Sequence, residues 1–387
     1  LEHRPGRAII DDDRDRIIRI KPRTNIVFLI DTSGSMNAPD KLPLLRNSFR
    51  MLVDRLDPDD TVSIVVYAGS AGTVLEPTKV SEKAKILASL DQLAAGGSTA
   101  GGEGIRQAYR LAEANFDAGG VNRVLLATDG DFNVGITNPV ELKGLVERKR
   151  ETGIFLSVLG FGRGNYNDRL MQALAENGNG QAAYIDTLNE ARKVLVDEAS
   201  STLFPIAKDV KIQVEFNPAT VSEYRLIGYE TRILDRADFN NDKVDAGEIG
   251  SGHAVTALYE IRPVGAEGVQ IDPLRYQVAS EAEDAASDEI AFVKLRYKQP
   301  DETESSLITR PVTGADERSQ DTEARFAAAV AAFGQLLRGG EHTGSYGYDD
   351  VIALGTLARG DDPFGYRAEF LNLVRLAKSA AALEQQK

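Results

Sequence analysis

The sequence predicts a doubly wound α/β domain on a mostly parallel sheet, an added antiparallel β-sandwich domain, and a C-terminal helical region. Three observations predict it. Short apolar runs alternate with helix-period segments from about residue 25 to residue 200. Apolar and polar residues then alternate strictly in several segments between about 205 and 312. From about 318 onward, apolar residues recur at helical spacing.

The α/β elements follow in order. "NIVFLID" (25–31) is a buried strand ending in an acid. Leu45, Phe49, Leu52 and Leu56 then mark one face of a helix. "TVSIVVYAG" (61–69) is the next strand, and "TVLE" (73–76) reads as an edge strand. Helices are expected at about 81–92 and 102–116, then a strand at "RVLLATD" (123–129). "LKGLVERKR" is helix, its charges forming a solvated face. "GIFLSVLGFG" is strand, and "RLMQALAENG" is helix with a Gly stop. "QAAYID" and "NEARKVLVDEAS" complete the series.

In the β-domain, "VKIQVEFN" sets Val210, Ile212, Val214 and Phe216 against Lys211, Gln213 and Glu215. "AVTALYEIR" and "EIAFVKLRY" alternate likewise, separated by an Ala-, Glu-, Asp- and Gly-rich excursion over about 263–288. "RDRIIRIKP" near the start would add a strand to this domain. In the helical region, Phe326, Val330, Phe333 and Leu337 define one stripe, and Phe370, Val374, Ala377 and Ala381 another. The expected boundaries are 1–21 for the N-terminal strand segment, 22–200 for the α/β domain, 201–315 for the β-domain and 316–387 for the helices.

Composition narrows the chemistry. The 387-residue chain carries a net charge of −14. That disfavours nucleic-acid phosphates and anionic lipid, and suits cations or basic partners. There is no Cys, which excludes disulfides, thiolate metal sites and cysteine nucleophiles. The three His residues, His3, His253 and His342, are widely separated, against a multi-histidine metal site. No apolar run reaches the roughly 18–20 residues of a membrane helix. The start at Leu1, without a signal-like segment, reads as a processed or trimmed beginning.

In doubly wound sheets, ligands bind outside the carboxyl ends of the strands. The loops there carry oxygen. "DTSGS" supplies Asp31, Ser33 and Ser35. "AGGSTAGGEG" supplies Ser98 and Thr99 between glycines that admit close backbone approach. "TDGDFNVG" supplies Asp129 and Asp131. Carboxylates and hydroxyls without His or Cys suit a hard divalent cation, Mg²⁺ or Mn²⁺ first and Ca²⁺ less clearly. With neutral hydroxyls among its ligands, the ion keeps residual charge and favours an incoming carboxylate from another molecule. The Asp-x-Ser-x-Ser stretch alone also fits an N-cap and turn.

Other chemistries from the same residues are incomplete. Aspartate-nucleophile phosphatases resemble Asp-x-Asp, and here the third position is Ser33. A serine hydrolase needs a nucleophile elbow and a His base, and neither is near "DTSGSMN". "GGSTAGG" lacks the Lys of a P-loop, and "GFGRGN" reads as a strand-to-helix turn. In "DFNNDKVDAGEI", Asp238, Asn240 and Asp242 hold the first, third and fifth positions of an EF-hand-like loop. Lys243 stands where Gly belongs and Ile249 where Glu belongs. This segment is either a second metal site, for Ca²⁺, or an acidic hairpin loop.

Taken together, "DTSGS", "GGSTAGG" and "TDGDFN" resemble the three loops of the metal-ion-dependent adhesion site (MIDAS) of von Willebrand factor type A domains, a Rossmann-like fold. The resemblance covers roughly residues 24–200. It implies that Ser33, Ser35 and Thr99 ligate the metal directly, and that Asp31 and Asp129 do so directly or through water. Ser98 then belongs to the turn, and Asp131 lies outside the inner set. The whole chain also resembles a bacterial subgroup in which such a domain precedes a β-domain and a helical region. That implies an extracytoplasmic or cell-envelope location, the cytoplasm remaining open. The expected function is metal-dependent protein binding, in adhesion or assembly, with a partner Glu or Asp completing the metal shell and no enzymatic activity. The alternatives are a scaffold with a structural metal and a Mg²⁺-dependent hydrolase.

Overall fold

The computed structural model describes residues 22–97, 101–130, 139–162, 167–198, 205–228, 233–244, 246–250, 254–266, 288–299, 302–316 and 321–384. The proposed N-terminal strand, Ser98, Thr99, Asp131, His3, His253 and most of the 263–288 excursion lie outside them. The chain divides into two compact units. One takes the chain as far as Lys208, with 246–253 and 299–301. The other takes Asp209–Asp245, Ala254–Lys298 and Glu302–Lys387.

The first unit is a six-stranded sheet: β1 (Thr24–Asp31), β2 (Thr61–Tyr67), β3 (Ala71–Lys79), β4 (Val121–Thr128), β5 (Ile154–Phe161) and β6 (Ala182–Ile185). Its order is β3-β2-β1-β4-β5-β6. All pairings are parallel except that of β3, which runs antiparallel to β2 at the edge. Strand order therefore reverses at β1, which lies between β2 and β4. The crevice above β1 and β4 is the switch point where doubly wound sheets take ligands.

Every residue of β1 is buried, because both faces of the sheet are covered. Ile26, Phe28 and Ile30 face one core with α1 (Leu42–Val53) and α2 (Lys83–Asp91). Val27 and Leu29 face the other, with α3 (Gly101–Ala114), α4 (Pro139–Glu151) and α5 (Asp168–Asn177). The period-2 alternation of a strand thus feeds two cores from one unbroken apolar run. The predicted stripe of α1 is buried through Leu45, Phe49 and Leu52, and Phe28 stacks on Phe49 at 4.1 Å between centroids. A short α6 (Leu188–Arg192) ends the series.

The second unit holds two antiparallel sheets and three helices. β8 (Val221–Ile227) pairs with β10 (Leu258–Pro263). β12 (Ser306–Thr313), β11 (Glu289–Lys298) and β7 (Pro205–Phe216) are neighbours in the other sheet. The segment Gly247–Gly250 forms the short β9. Phe216 of β7 packs on Tyr224 and Tyr259 of the other sheet, at 4.5 and 5.3 Å between centroids.

The alternation in β7 gave the strand but not its inner face. Ile212 is 43% exposed while Lys211 is only 3% exposed. Lys211 is buried because its ammonium donates to the Asp238 and Asn241 carbonyls, at 3.2 and 2.6 Å. A satisfied charge can take an inward position that the apolar pattern assigns to its neighbours.

The helices are α7 (Thr322–Leu337), α8 (Tyr348–Leu357) and α9 (Tyr366–Glu384). Ala329, Val351 and Val374 form their core, with Phe333 and Phe370 packed against it. The predicted stripe on α7 is rotated: Val330 and Leu337 are 44% and 59% exposed, and Ala329 is buried instead. A small residue at the crossing lets the helices approach closely. Asp321 caps α7 by accepting from the Glu323 and Ala324 N–H groups, at 2.8 and 3.1 Å. Asp321→Ala is expected to cost about 1 kcal/mol, read as a lower urea midpoint for this unit.

Candidate metal centre

Asp31 is the last residue of β1 and fully buried. Its Oδ1 accepts the Ser33 backbone N–H at 2.8 Å, so the carboxylate itself turns the chain out of the strand. Ser33 Oγ and Ser35 Oγ lie 3.0 Å apart and share a hydrogen bond. Ser33 is buried and Ser35 exposed, so the hydroxyl pair runs from the interior to the surface. The carboxylate that turns the chain and the hydroxyl pair thus sit in one five-residue stretch.

The neighbouring loops are tied to this turn. The Thr32 N–H donates to the Tyr67 carbonyl at 3.0 Å, which fastens it to the end of β2. Gly96 N–H donates to the Thr32 carbonyl at 2.8 Å, and Gly34 N–H to the Gly97 carbonyl at 3.1 Å. Gly97 has φ +83, and a Cβ there would lie 3.2 Å from the Gly69 nitrogen. Only glycine fits that turn without strain. The "GGST" segment thus reaches the Asp-x-Ser-x-Ser turn two residues before Thr99, which itself lies outside the described residues.

From β4, the Thr128 hydroxyl donates to Asp31 Oδ2 at 3.2 Å and accepts the Gly130 N–H at 3.1 Å. Asp129 follows, 5% exposed, and its Oδ2 accepts from Lys41 Nζ at 2.9 Å. Asp31, Ser33, Ser35 and Asp129 are therefore gathered at the carboxyl edge of β1 and β4. Sequence reasoning passed over Thr128, Lys41 and Tyr67. Tyr67 ends β2 in register with Asp31, a position legible only once β2 is known to pair with β1.

Burial and like charge set the electrostatics of this edge. Burial pushes the Asp31 carboxyl above its ordinary value, against the hydrogen bonds from Ser33 and Thr128, while the charge of Asp129 pushes it further. Burial, then the charge of Asp31, drives the Tyr67 phenol far above its usual range, so it stays protonated beside the carboxylates. Among the described residues no three His, Cys, Asp or Glu side chains converge. Any cation here depends on hydroxyls as much as carboxylates. That all-oxygen set fits a hard divalent ion, with Asp31, Ser33, Ser35 and Asp129 as the residues that would hold it.

The second loop is held differently. Asn240 Oδ1 accepts from Arg296 at 3.1 Å, and Asp242 accepts from the Ser305 hydroxyl at 2.5 Å. Asp238 Oδ1 accepts from Asn241 at 3.4 Å. Lys211 serves two of its carbonyls, and Lys298 Nζ donates to the Asp242 carbonyl at 2.7 Å and to Asp209 Oδ2 at 2.6 Å. Two lysine ammoniums thus bind three carbonyls of this loop, those of Asp238, Asn241 and Asp242. Lys298→Ala is expected to leave Asp209 and a carbonyl without that donor. The cost is about 1–3 kcal/mol, measured by urea unfolding with and without Ca²⁺.

Comparison with known proteins agrees with this architecture. Residues 25–197 match the family model for the von Willebrand factor type A domain. Residues 201–380 match that for "Uncharacterized protein YfbK, C-terminal". The chain is 46% identical over 373 residues to the uncharacterized protein YfbK of Escherichia coli, covering 96% of this chain and 64% of that protein. It is 29% identical over 180 residues to the uncharacterized protein sll0103 of Synechocystis, covering 46% of this chain and 41% of that one. The chain thus spans under two thirds of the length of either relative. Among solved structures, the conserved hypothetical protein BatB of Bacteroides thetaiotaomicron is 26% identical with a TM-score of 0.39, over 46% of this chain and 97% of that one. Residues 25–197 are a von Willebrand factor type A domain, and the chain that follows is a C-terminal domain of the YfbK type.

Proposed function

We propose that this chain is a metal-dependent protein-binding module. A divalent cation, Mg²⁺ or Mn²⁺ and less readily Ca²⁺, sits at the carboxyl edge of β1 and β4. Asp31, Ser33, Ser35, Thr99 and Asp129 hold it, and a Glu or Asp side chain of a partner protein completes its shell. The observation that carries the reading is the buried Asp31 carboxylate with the Ser33–Ser35 hydroxyl pair beside it, Asp129 across the switch point, and the segment leading to Thr99 bonded to the same turn.

The module acts by binding rather than by turnover. The donors supply no general base of their own, since both carboxylates are committed to the cation. No helix among the described residues is long and apolar enough to cross a membrane. We place the domain's work at the cell envelope, in adhesion or assembly, as the resemblance of the whole chain implies.

The test is peptide display against the immobilised full chain in Mg²⁺, followed by elution with EDTA. Glu- or Asp-bearing peptides released by EDTA and lost on Glu→Gln or Asp→Asn exchange are the expected result. Peptides that bind equally in EDTA, or survive that exchange, would overturn the carboxylate reading.

A further inference from the structure

Lys41 immediately precedes α1 and points its ammonium into the candidate metal centre. The Nζ to Asp129 Oδ2 distance is 2.9 Å, and the two side chains are only 15% and 4% exposed. Its aliphatic stem crosses Gly162, just past the end of β5. A Cβ at residue 162 would lie 2.3 Å from Lys41 Cγ and 2.4 Å from Cε. Gly162 also has φ +74, a backbone conformation that side chains avoid. Its carbonyl accepts the Tyr184 phenol of β6 at 2.7 Å. The start of α1 and the ends of β4, β5 and β6 thus shape a slot that fits this one lysine. A surface ion pair has no such enclosure.

The carboxylate that Lys41 holds is one of the two that the metal reading gives to the cation. An ammonium and a divalent ion on the same low-dielectric carboxylate repel each other, so the two compete. We infer that Lys41 is an intramolecular competitor of the metal. It neutralises Asp129 when no ion is bound, and an incoming Mg²⁺ or Mn²⁺ must displace its ammonium to reach that oxygen. The inference rests on the cation reading of this site and adds its regulation. Displacement frees an ammonium at the rim, where the partner's carboxylate arrives. Metal loading and capture of an acidic partner are thereby coupled through one side chain.

The experiment is calorimetric titration of the metal-stripped full chain with MgCl₂ and MnCl₂. Wild type is compared with Lys41→Met, Lys41→Arg and Asp31→Ala. Lys41→Met keeps the stem over Gly162 and removes the charge, and its metal affinity is expected to rise about tenfold or more. Lys41→Arg, still cationic, is expected to stay within a few-fold of wild type. Asp31→Ala is expected to bind no metal. Unchanged or weaker binding by Lys41→Met, with wild type binding and Asp31→Ala not, overturns the competitor role and leaves the metal site standing. Failure of wild type and Lys41→Met alike to bind overturns both. Thermal unfolding gives a second readout: metal-free Lys41→Met is expected to melt below wild type and to gain more on metal addition. If Lys41→Met does not fold, Lys41→Gln serves the same comparison.

Discussion

On the proposed metal reading, Asp31→Ala is expected to abolish any stabilisation that Mg²⁺ or Mn²⁺ gives the wild-type chain. A ligand present at about one hundred times its Kd stabilises the folded state by about 2.7 kcal/mol, and the variant should gain none of it. The reason is positional. Asp31 is fully buried at the end of the strand where sheet order reverses, and its two oxygens hold the Ser33 and Thr128 groups that orient the site. The fold without metal should survive the change. Burial raises the Asp31 carboxyl, so the folded state holds that proton more tightly than the unfolded chain does. Such a group adds stability below its unfolded pKa, near the ordinary 3.8, and that stability is lost as pH rises through the folded value. At neutral pH the ionised Asp31 is therefore a burden on the metal-free protein. Asp31→Asn, which keeps the shape and an acceptor for Ser33, should melt above metal-free wild type at neutral pH. The gap should close on acidification. An equal Mg²⁺-induced rise in Tm for wild type and Asp31→Ala would sink the site.

Phe28→Ala is expected to cost about 3–5 kcal/mol. Phe28 is fully buried mid-strand in β1 and stacks on Phe49 of α1, with centroids 4.1 Å apart. Truncation opens a cavity between the sheet and the helix whose start carries Lys41. The damage should therefore reach the metal site, three residues along the same strand, as weakened metal affinity. The chain contains no Trp, so circular dichroism in urea is the natural probe. Val330→Ala, on a residue 44% exposed, is the control, and should change stability by less than about 0.5 kcal/mol. A loss under about 1 kcal/mol for Phe28→Ala would contradict the packing described for β1.

Much of this was legible in the chain because local chemistry and tertiary role coincide. The unbroken apolar run of β1 announces a strand covered on both faces. Leu45, Phe49 and Leu52 sit at helical spacing because one face of α1 meets that strand. The Asp-x-Ser-x-Ser turn is readable because the carboxylate that bends the backbone and the two hydroxyls lie within five residues. Where a polar side chain finds partners far along the chain, pattern reading fails. Alternation in β7 points Ile212 inward, yet Lys211 is the buried residue, because carbonyls 27 and 30 residues away receive its ammonium. The EF-hand-like spacing of Asp238, Asn240 and Asp242 is visible in sequence, but Lys298 and Arg296, distant in the chain, hold that loop.

The sequence by itself determined the doubly wound class and the strand ends that carry oxygen, while the grouping of Asp31, Ser33, Ser35, Thr99 and Asp129 as one set rests on the resemblance of three separate loops. Patterns within single chain segments encode the class and the strand ends. Tertiary structure alone decided that β1 pairs with both β2 and β4, which puts Asp31 and Asp129 at one crevice with Tyr67 beside them. It alone decided that Lys41 crosses Gly162 to reach Asp129. Contacts across 88 residues depend on the order of strands in the sheet, and strand order is set by packing of whole elements rather than by any local pattern.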